Sequence, residues 1–308
     1  MRVAVIDIGS NSIKLLVAER GPDGGPLEVV SRTIEARISD GIGSDEPSLG
    51  AGGIARGVEA VHELALESKQ LGATQLVAVA TSAVRDASNG KVFAERVRAT
   101  SALKIRILSG LEEANLIGRG LTTDPALGAL GHFDVFDLGG GSLECLRFRD
   151  RRIEHAVSLP LGCVRLTEML VADPAEPFGE ESSRAVATHV RRVLAASGYP
   201  FPVPVGFGVV GTGGTLTTAR AMAGQAKGLD LAHSDPLITI AELRRIQALL
   251  APMDLHGRRE VSGLSRARAD VFPTAVCTLL TLADLGNFRV FHHSLRNLRW
   301  GIASELLS

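Results

Sequence analysis

The chain has little lysine: only five of its 33 basic residues, set against 34 acids for a formal net charge of −1. Such a balance lacks the concentrated positive charge of a general nucleic-acid binder. The arginine excess accompanies abundant alanine and glycine and is attributed to a GC-rich genome, not to function. No run of about 18 apolar residues occurs, which excludes a membrane-spanning helix. The opening MRVAVIDIGSNS enters an apolar run at once, so no signal peptide is expected. Only three cysteines are present, Cys145, Cys163 and Cys277. They share no metal-ligand spacing and cannot all pair, which suits a reducing cytoplasm. A G-x4-G-K-[ST] loop is missing, and so is a DxDx[TV] run that would offer an aspartyl nucleophile. Phosphate chemistry here would need a different cradle, with water as the attacking group.

Glycine is where the sequence speaks. FDLGGGSLEC (136–145) ends an apolar run in an acid, then places three glycines and a serine before a second acid. Consecutive glycines cost conformational entropy. They serve either a hairpin turn needing unusual backbone angles or a cradle whose N–H groups close on phosphate. The pattern recurs. VIDIGSNSIKLLV (5–17) lines up without a gap on VFDLGGGSLECLR (135–147), setting Asp7 on Asp137, Gly9 on Gly139 and Ser12 on Ser142. An ordinary hairpin need not return one domain later with acid and serine in register, so the repeat predicts a two-lobed phosphate clamp.

With 308 residues, 45% of them hydrophobic, the chain can bury full cores in about two domains. After the first hairpin a third strand is expected near 27–34. A helix over 54–72 ends at Gly72, and strands at 75–81 and 104–109 flank a helix from Gly90. Ser109 caps the helix of SGLEEANLIGRGL. The Pro- and Gly-bearing 122–131 segment is the expected crossover, giving lobes 1–124 and 125–308, with a terminal helix (about 294–308) able to pack back on the first. Later come a polar helix over 180–197, the strand–turn–helix GFGVVGTGGTLTTAR, helices over 240–251 and about 270–285, and a strand FRVF. The GTGGT turn, with Gly211, Thr212 and Gly213, is a third place where backbone N–H groups could meet phosphate.

Taken in order, DIGSNSIKLLV, TSAVRDASN, LSGLEEANLI, DLGGGSLE, LPLGCVRLTE, GTGGT and RADVFPTA resemble the exopolyphosphatase/guanosine pentaphosphate phosphohydrolase family, of the actin-like superfamily, along nearly the whole chain. The resemblance implies an α/β fold of two ribonuclease-H-like lobes with the active site in the cleft between them. It implies metal-dependent release of terminal phosphate from polyphosphate, or of the 5′-phosphate from guanosine pentaphosphate (pppGpp), with Mg²⁺ or else Mn²⁺. A cytoplasmic chain, alone or as a homodimer, is expected. By position, Glu113 is similar to the family's general base. Asp137 and Glu144 resemble metal-associated acids, while Ser10, Asn11, Ser12, Arg85, Gly139, Gly140, Gly141 and Ser142 resemble phosphate contacts. Two departures stand out: LRNLRWGI has Trp300 where the family often carries an acid, and no HD dipeptide occurs.

Read for themselves, Asp7 and Asp137 at strand ends suit Mg²⁺, which takes one or two carboxylates and keeps waters, or merely cap turns. Glu144 faces inward or is an ordinary strand acid. Arg85 offers a planar fork for phosphate or lies on the surface. Glu112 and Glu113 begin a helix, where acids are favoured anyway. A buried stripe of Leu111, Ala114, Ile117 and Leu121 would leave both acids off the core, and only the resemblance selects Glu113. C-x5-R at Cys145–Arg151 has a bulky, strand-like interior and cannot wrap phosphate. His292–His293 lacks a third ligand. A phosphate or nucleotide sensor that does not hydrolyse is the alternative from another class.

Overall fold

A computed structural model describes residues 1–308. The chain divides into two compact units, Met1–Gly128 joined by Arg296–Ser308, and Ala129–Leu295.

The first unit begins with β1 (Arg2–Ile8), β2 (Ile13–Arg20) and β3 (Pro26–Ile34). It continues with α1 (Ala51–Gln70), β4 (Gln75–Ala80), α2 (Ser82–Arg85), α3 (Gly90–Ser101), β5 (Ile105–Ile107) and α4 (Gly110–Thr122). The second holds β6 (Phe133–Leu138), β7 (Leu143–Arg149), β8 (Arg152–Leu159), α5 (Cys163–Leu170) and α6 (Glu180–Ala196). Then follow β9 (Gly208–Thr212), α7 (Gly213–Gln225), β10 (Leu237–Thr239), α8 (Ile240–Leu250), α9 (Leu255–Arg259), α10 (Phe272–Gly286) and β11 (Val290–His293). The terminal α11 (Leu298–Leu307) returns to the first unit.

The sequence repeat is a repeat of topology. The first sheet runs β3-β2-β1-β4-β5 and the second β10-β11-β9-β6-β7-β8. In each, an antiparallel three-strand meander continues into parallel strands through its first member. Register breaks fall between Val17 and Ala18 in one sheet and between Arg147 and Phe148 in the other, equivalent positions in the alignment above. Central strands are buried on both faces and read as continuous apolar runs, whereas the edge strand β3 is mostly exposed.

Boundaries shift where tertiary partners decide them. The strand expected at FRVF lies over Val290–His293, because it pairs with Leu237–Thr239 and with Val210–Gly211. The terminal helix starts at Leu298 instead of Ser294: the Ser294 N–H is taken by the Gly211 carbonyl, which keeps the chain extended. α2, α9 and the three-residue β10 are too short to leave a periodic signal.

α4 and α11 meet backbone to backbone. A Cβ on Gly120 would stand 2.0 Å from the Asn297 carbonyl oxygen, and one on Gly301 would stand 2.0 Å from that of Leu116. The two glycines let α11 reach the helix that carries Glu113. Trp300 is buried on α11 with the Arg296 guanidinium 4.1 Å from its ring centroid, so the residue departing from the family's acid is a packing residue. No helix is long and apolar enough to cross a membrane.

Candidate active site

In both units the hairpin turn has the same build. Gly9 donates to the Ser12 carbonyl at 3.2 Å, and Gly139 to that of Ser142 at 3.0 Å. The turn carbonyls are then claimed from behind. In the first unit, Ser10 O accepts from the Ile38 N–H and the Ser39 hydroxyl, and Asn11 O from the Arg37 N–H. In the second, Gly139 O accepts from the N–H of Cys163, Gly140 O from those of Val164 and Arg165, and Gly141 O from Arg165 Nε at 2.9 Å. With carbonyls bound on one side, the N–H groups of Ser10, Asn11 and Ser12, and of Gly140, Gly141 and Ser142, donate to no protein acceptor. Buried amides without partners are rare in folded proteins and mark places where a ligand or water belongs. Ser10 Oγ and both amide atoms of Asn11 are likewise buried without a partner.

The glycines have a second reason that the sequence did not reveal. A Cβ on Gly162, at the N-cap of α5, would stand 2.3 Å from the backbone of Gly140 and Gly141. The triple glycine receives the start of α5 against its back as well as presenting amides from its front.

Asp137 and Glu144 are cross-strand partners on β6 and β7, both buried. Glu144 accepts the Ser158 hydroxyl at 2.7 Å, so it is not an exposed strand acid. Asp137 lies against Gly213, whose φ of +85° suits glycine and where a Cβ would come within 2.1 Å of the Asp137 carboxylate. The GTGGT turn is thereby brought to the Asp137 end of the second hairpin. Gly211 is glycine for packing, since a Cβ there would strike Leu216 and Phe291, and Thr212 is fully buried. Sequence reasoning passed over Arg268, whose guanidinium covers Gly214 in the first turn of α7. A lone arginine in RADVFPTA offers no local signal of that placement.

Asp7, in the other unit, pairs across the hairpin with Lys14. Burial pushes its carboxyl up, and the positive charges of Lys14 and Arg299 oppose that shift. Arg299, also missed by the sequence reading, is a buried side chain of α11 that donates through Nη1 to Leu15 O at 2.8 Å and to Ser31 Oγ at 3.1 Å.

Glu113 and Glu112 part company. The expected stripe is corrected where the helix begins: Leu111 is 57% exposed and Glu113, expected off the core, is 6% exposed, while Ala114, Ile117 and Leu121 are buried as expected. Position 111 lies in the first turn, before α4 reaches the core, while Glu113 turns toward Arg85. Arg85 Nη1 donates to Glu113 Oε2 at 2.8 Å and to Leu108 O at 3.1 Å, and its Nε to Asp86 Oδ1 at 3.2 Å. Glu112 stays outside, closing a capping box with Ser109 and accepting from Arg106 at 2.8 Å. Those hydrogen bonds, Arg106 foremost, lower its carboxyl to about 2.

No three His, Cys, Asp or Glu side chains gather closely enough to hold a metal by themselves. A hard dication that takes one or two carboxylates and fills its remaining positions with water and phosphate fits the Asp137–Glu144 pair. Cys145 is buried in β7 with its thiol pushed well above the usual range by desolvation, unsuited to nucleophilic work. His293 is buried beside Thr217 and Arg220, not among metal ligands.

Known proteins share this chain's sequence and architecture. It is 30% identical over 275 residues to exopolyphosphatase 1 of Mycobacterium leprae, spanning 87% of this chain and 78% of that protein. An exopolyphosphatase of Cytophaga hutchinsonii superposes with a TM-score of 0.89 at 22% identity over 100% of this chain and 98% of its own, a likeness of fold. The Aquifex aeolicus member of the Ppx/GppA protein family superposes with a TM-score of 0.78 at 25% identity over 100% and 98% of the two chains. The fold is accordingly the α/β, two-lobed actin-like one, as the motifs implied. A model of the Ppx/GppA phosphatase family matches residues 2–308, and the chain belongs to that family.

Proposed function

We propose that the protein is an exopolyphosphatase, releasing phosphate from the end of inorganic polyphosphate by direct attack of water with help from a divalent cation. The observation that carries this reading is the pair of matching hairpin turns, each leaving backbone N–H groups without a protein acceptor beside a strand-end acid. Such turns suit a ligand that is phosphate along its length. The 30% identity to the M. leprae exopolyphosphatase supports the same substrate class.

In this reading the attacking water loses its proton to Glu113 as its oxygen bonds the terminal phosphorus. The bridging P–O bond breaks, and the electron pair leaves on the shortened chain. The 2.8 Å contact with Arg85 holds the Glu113 carboxylate in one orientation. A cation at Asp137 and Glu144 would neutralise charge on the phosphates. In the second unit the Gly140–Ser142 amides, with Gly213 beside Asp137, offer donors to phosphate, as the Ser10–Ser12 amides do in the first.

Phosphate release should be assayed in parallel on polyphosphates of several lengths, pppGpp and ATP, with and without EDTA. Turnover of polyphosphate, lost in EDTA and restored by Mg²⁺, is expected. Turnover of pppGpp alone would move the assignment to a pppGpp 5′-phosphohydrolase. Phosphate-chain binding without turnover would make the protein a sensor.

A further inference from the structure

The two hairpins agree in register down to the bulge and differ in net charge at the cross-strand pair beside the turn. Across β1 and β2, Asp7 faces Lys14; across β6 and β7, Asp137 faces Glu144. Cross-strand partners project from the same face of a sheet. The first turn is therefore flanked by an acid and a base, the second by two acids. A second cation, Arg299 from α11, acts electrostatically on Asp7 together with Lys14. A dication beside Asp7 would meet one carboxylate and two fixed positive charges, an arrangement that repels it. The first turn nonetheless presents three unpartnered amides, the Ser10 hydroxyl and the Asn11 side chain, all of which can serve an anion.

We propose that the two hairpins neutralise phosphate by different means: the second holds the only divalent cation, through Asp137 and Glu144, and the first is a metal-free anion cradle in which Lys14 is the built-in cation. Asp7 is then the partner that orients the lysine, not a metal ligand. The proposal rests on the reading of both turns as phosphate sites.

Its test is binding to the full-length, metal-stripped protein, measured by calorimetry without substrate. With Mn²⁺ as probe, one ion per chain is expected. Asp7→Asn should leave that stoichiometry and affinity unchanged, whereas Asp137→Asn and Glu144→Gln should each weaken Mn²⁺ at least about tenfold, an effect typical of losing one of few charged ligands. Lys14→Glu, which sets two acids across the first hairpin, should admit a second Mn²⁺. With imidodiphosphate, a non-hydrolysable diphosphate, in metal-free buffer, Lys14→Met should bind about tenfold more weakly, the scale of one charge-assisted contact. Lys14→Arg should recover most of that loss. Far-UV dichroism guards against misfolded variants.

Two Mn²⁺ ions in the wild type, none, or loss of Mn²⁺ in Asp7→Asn would each overturn the assignment. So would Lys14→Glu remaining at one ion, or Lys14→Met binding imidodiphosphate like the wild type. Wild-type binding as described with no turnover of polyphosphate would remove the substrate reading and leave the division of charge standing.

Discussion

Arg85 donates through one nitrogen to both Oε2 of Glu113, at 2.8 Å, and the carbonyl oxygen of Leu108, at 3.1 Å. The bond ties the end of α2 to the start of α4 and turns Glu113 inward, while its sequence neighbour Glu112 closes the helix cap in solvent. Adjacent acids with the same chemistry thus stand in different surroundings, and that difference makes them a matched pair for experiment.

Glu113→Gln keeps the shape and can still hydrogen-bond a water but cannot take its proton. General-base assistance contributes about 10²–10⁴-fold in rate. A loss of at least about 10²-fold in kcat on short polyphosphate is expected on that scale, with KM little changed because ground-state phosphate contacts survive. Glu112→Gln should keep most activity and lower the melting temperature slightly through its cap. Steady-state kinetics on both variants decide the matter. A live Glu113→Gln enzyme would transfer the base to another group.

Gly162→Ala would drive a methyl group into the backbone of Gly140 and Gly141, 2.3 Å away. Overpacking of this kind costs about 1–3 kcal/mol. Because the displaced atoms belong to the turn proposed to hold phosphate, activity should collapse further than stability does. Urea unfolding and phosphate release on the same preparation test this, and full activity would show that the turn tolerates displacement.

Beneath the second sheet, Arg147 makes two hydrogen bonds to Asp134, at 2.7 and 2.6 Å, with both side chains nearly sealed from solvent. Removing one member strands the other's charge in the interior, which typically costs about 3–5 kcal/mol. Asp134→Ala should show that loss in denaturant unfolding. A joint Asp134→Leu, Arg147→Met replacement should cost much less.

His293 is held neutral. Desolvation, helped by the Arg220 charge, lowers its pKa to about 3 from 6.5. The unfolded chain therefore binds a proton that the folded chain refuses between those values. This contribution to stability is complete above about pH 6.5 and is lost as pH falls toward 3, at up to about 1.4 kcal/mol per pH unit. Melting temperature should drop on acidification below 6.5, and less steeply in His293→Gln. Equal slopes for the two proteins would contradict the buried neutral state.

Local chemistry was legible in the chain by itself. The acid-ended strands, the glycine turns and their duplication at 5–17 and 135–147 settle the paired hairpins, because an apolar run ending in an acid and a small-residue turn are encoded within a dozen residues. The Ser109 cap and the Gly72 stop, with φ of +76°, are legible for the same reason. What required the tertiary structure is everything set by distant partners. The burial of Glu113 depends on Arg85, 28 residues earlier. The triple glycine's second duty depends on Gly162, the backbone contact of α4 with α11 on Gly120 and Gly301, and the surroundings of Asp7 on Arg299 near the end of the chain. Helix and strand periods name the face a residue occupies on its own element. Which element covers that face is decided by the packing of the whole, and with it whether an acid meets a cation, an acid or water.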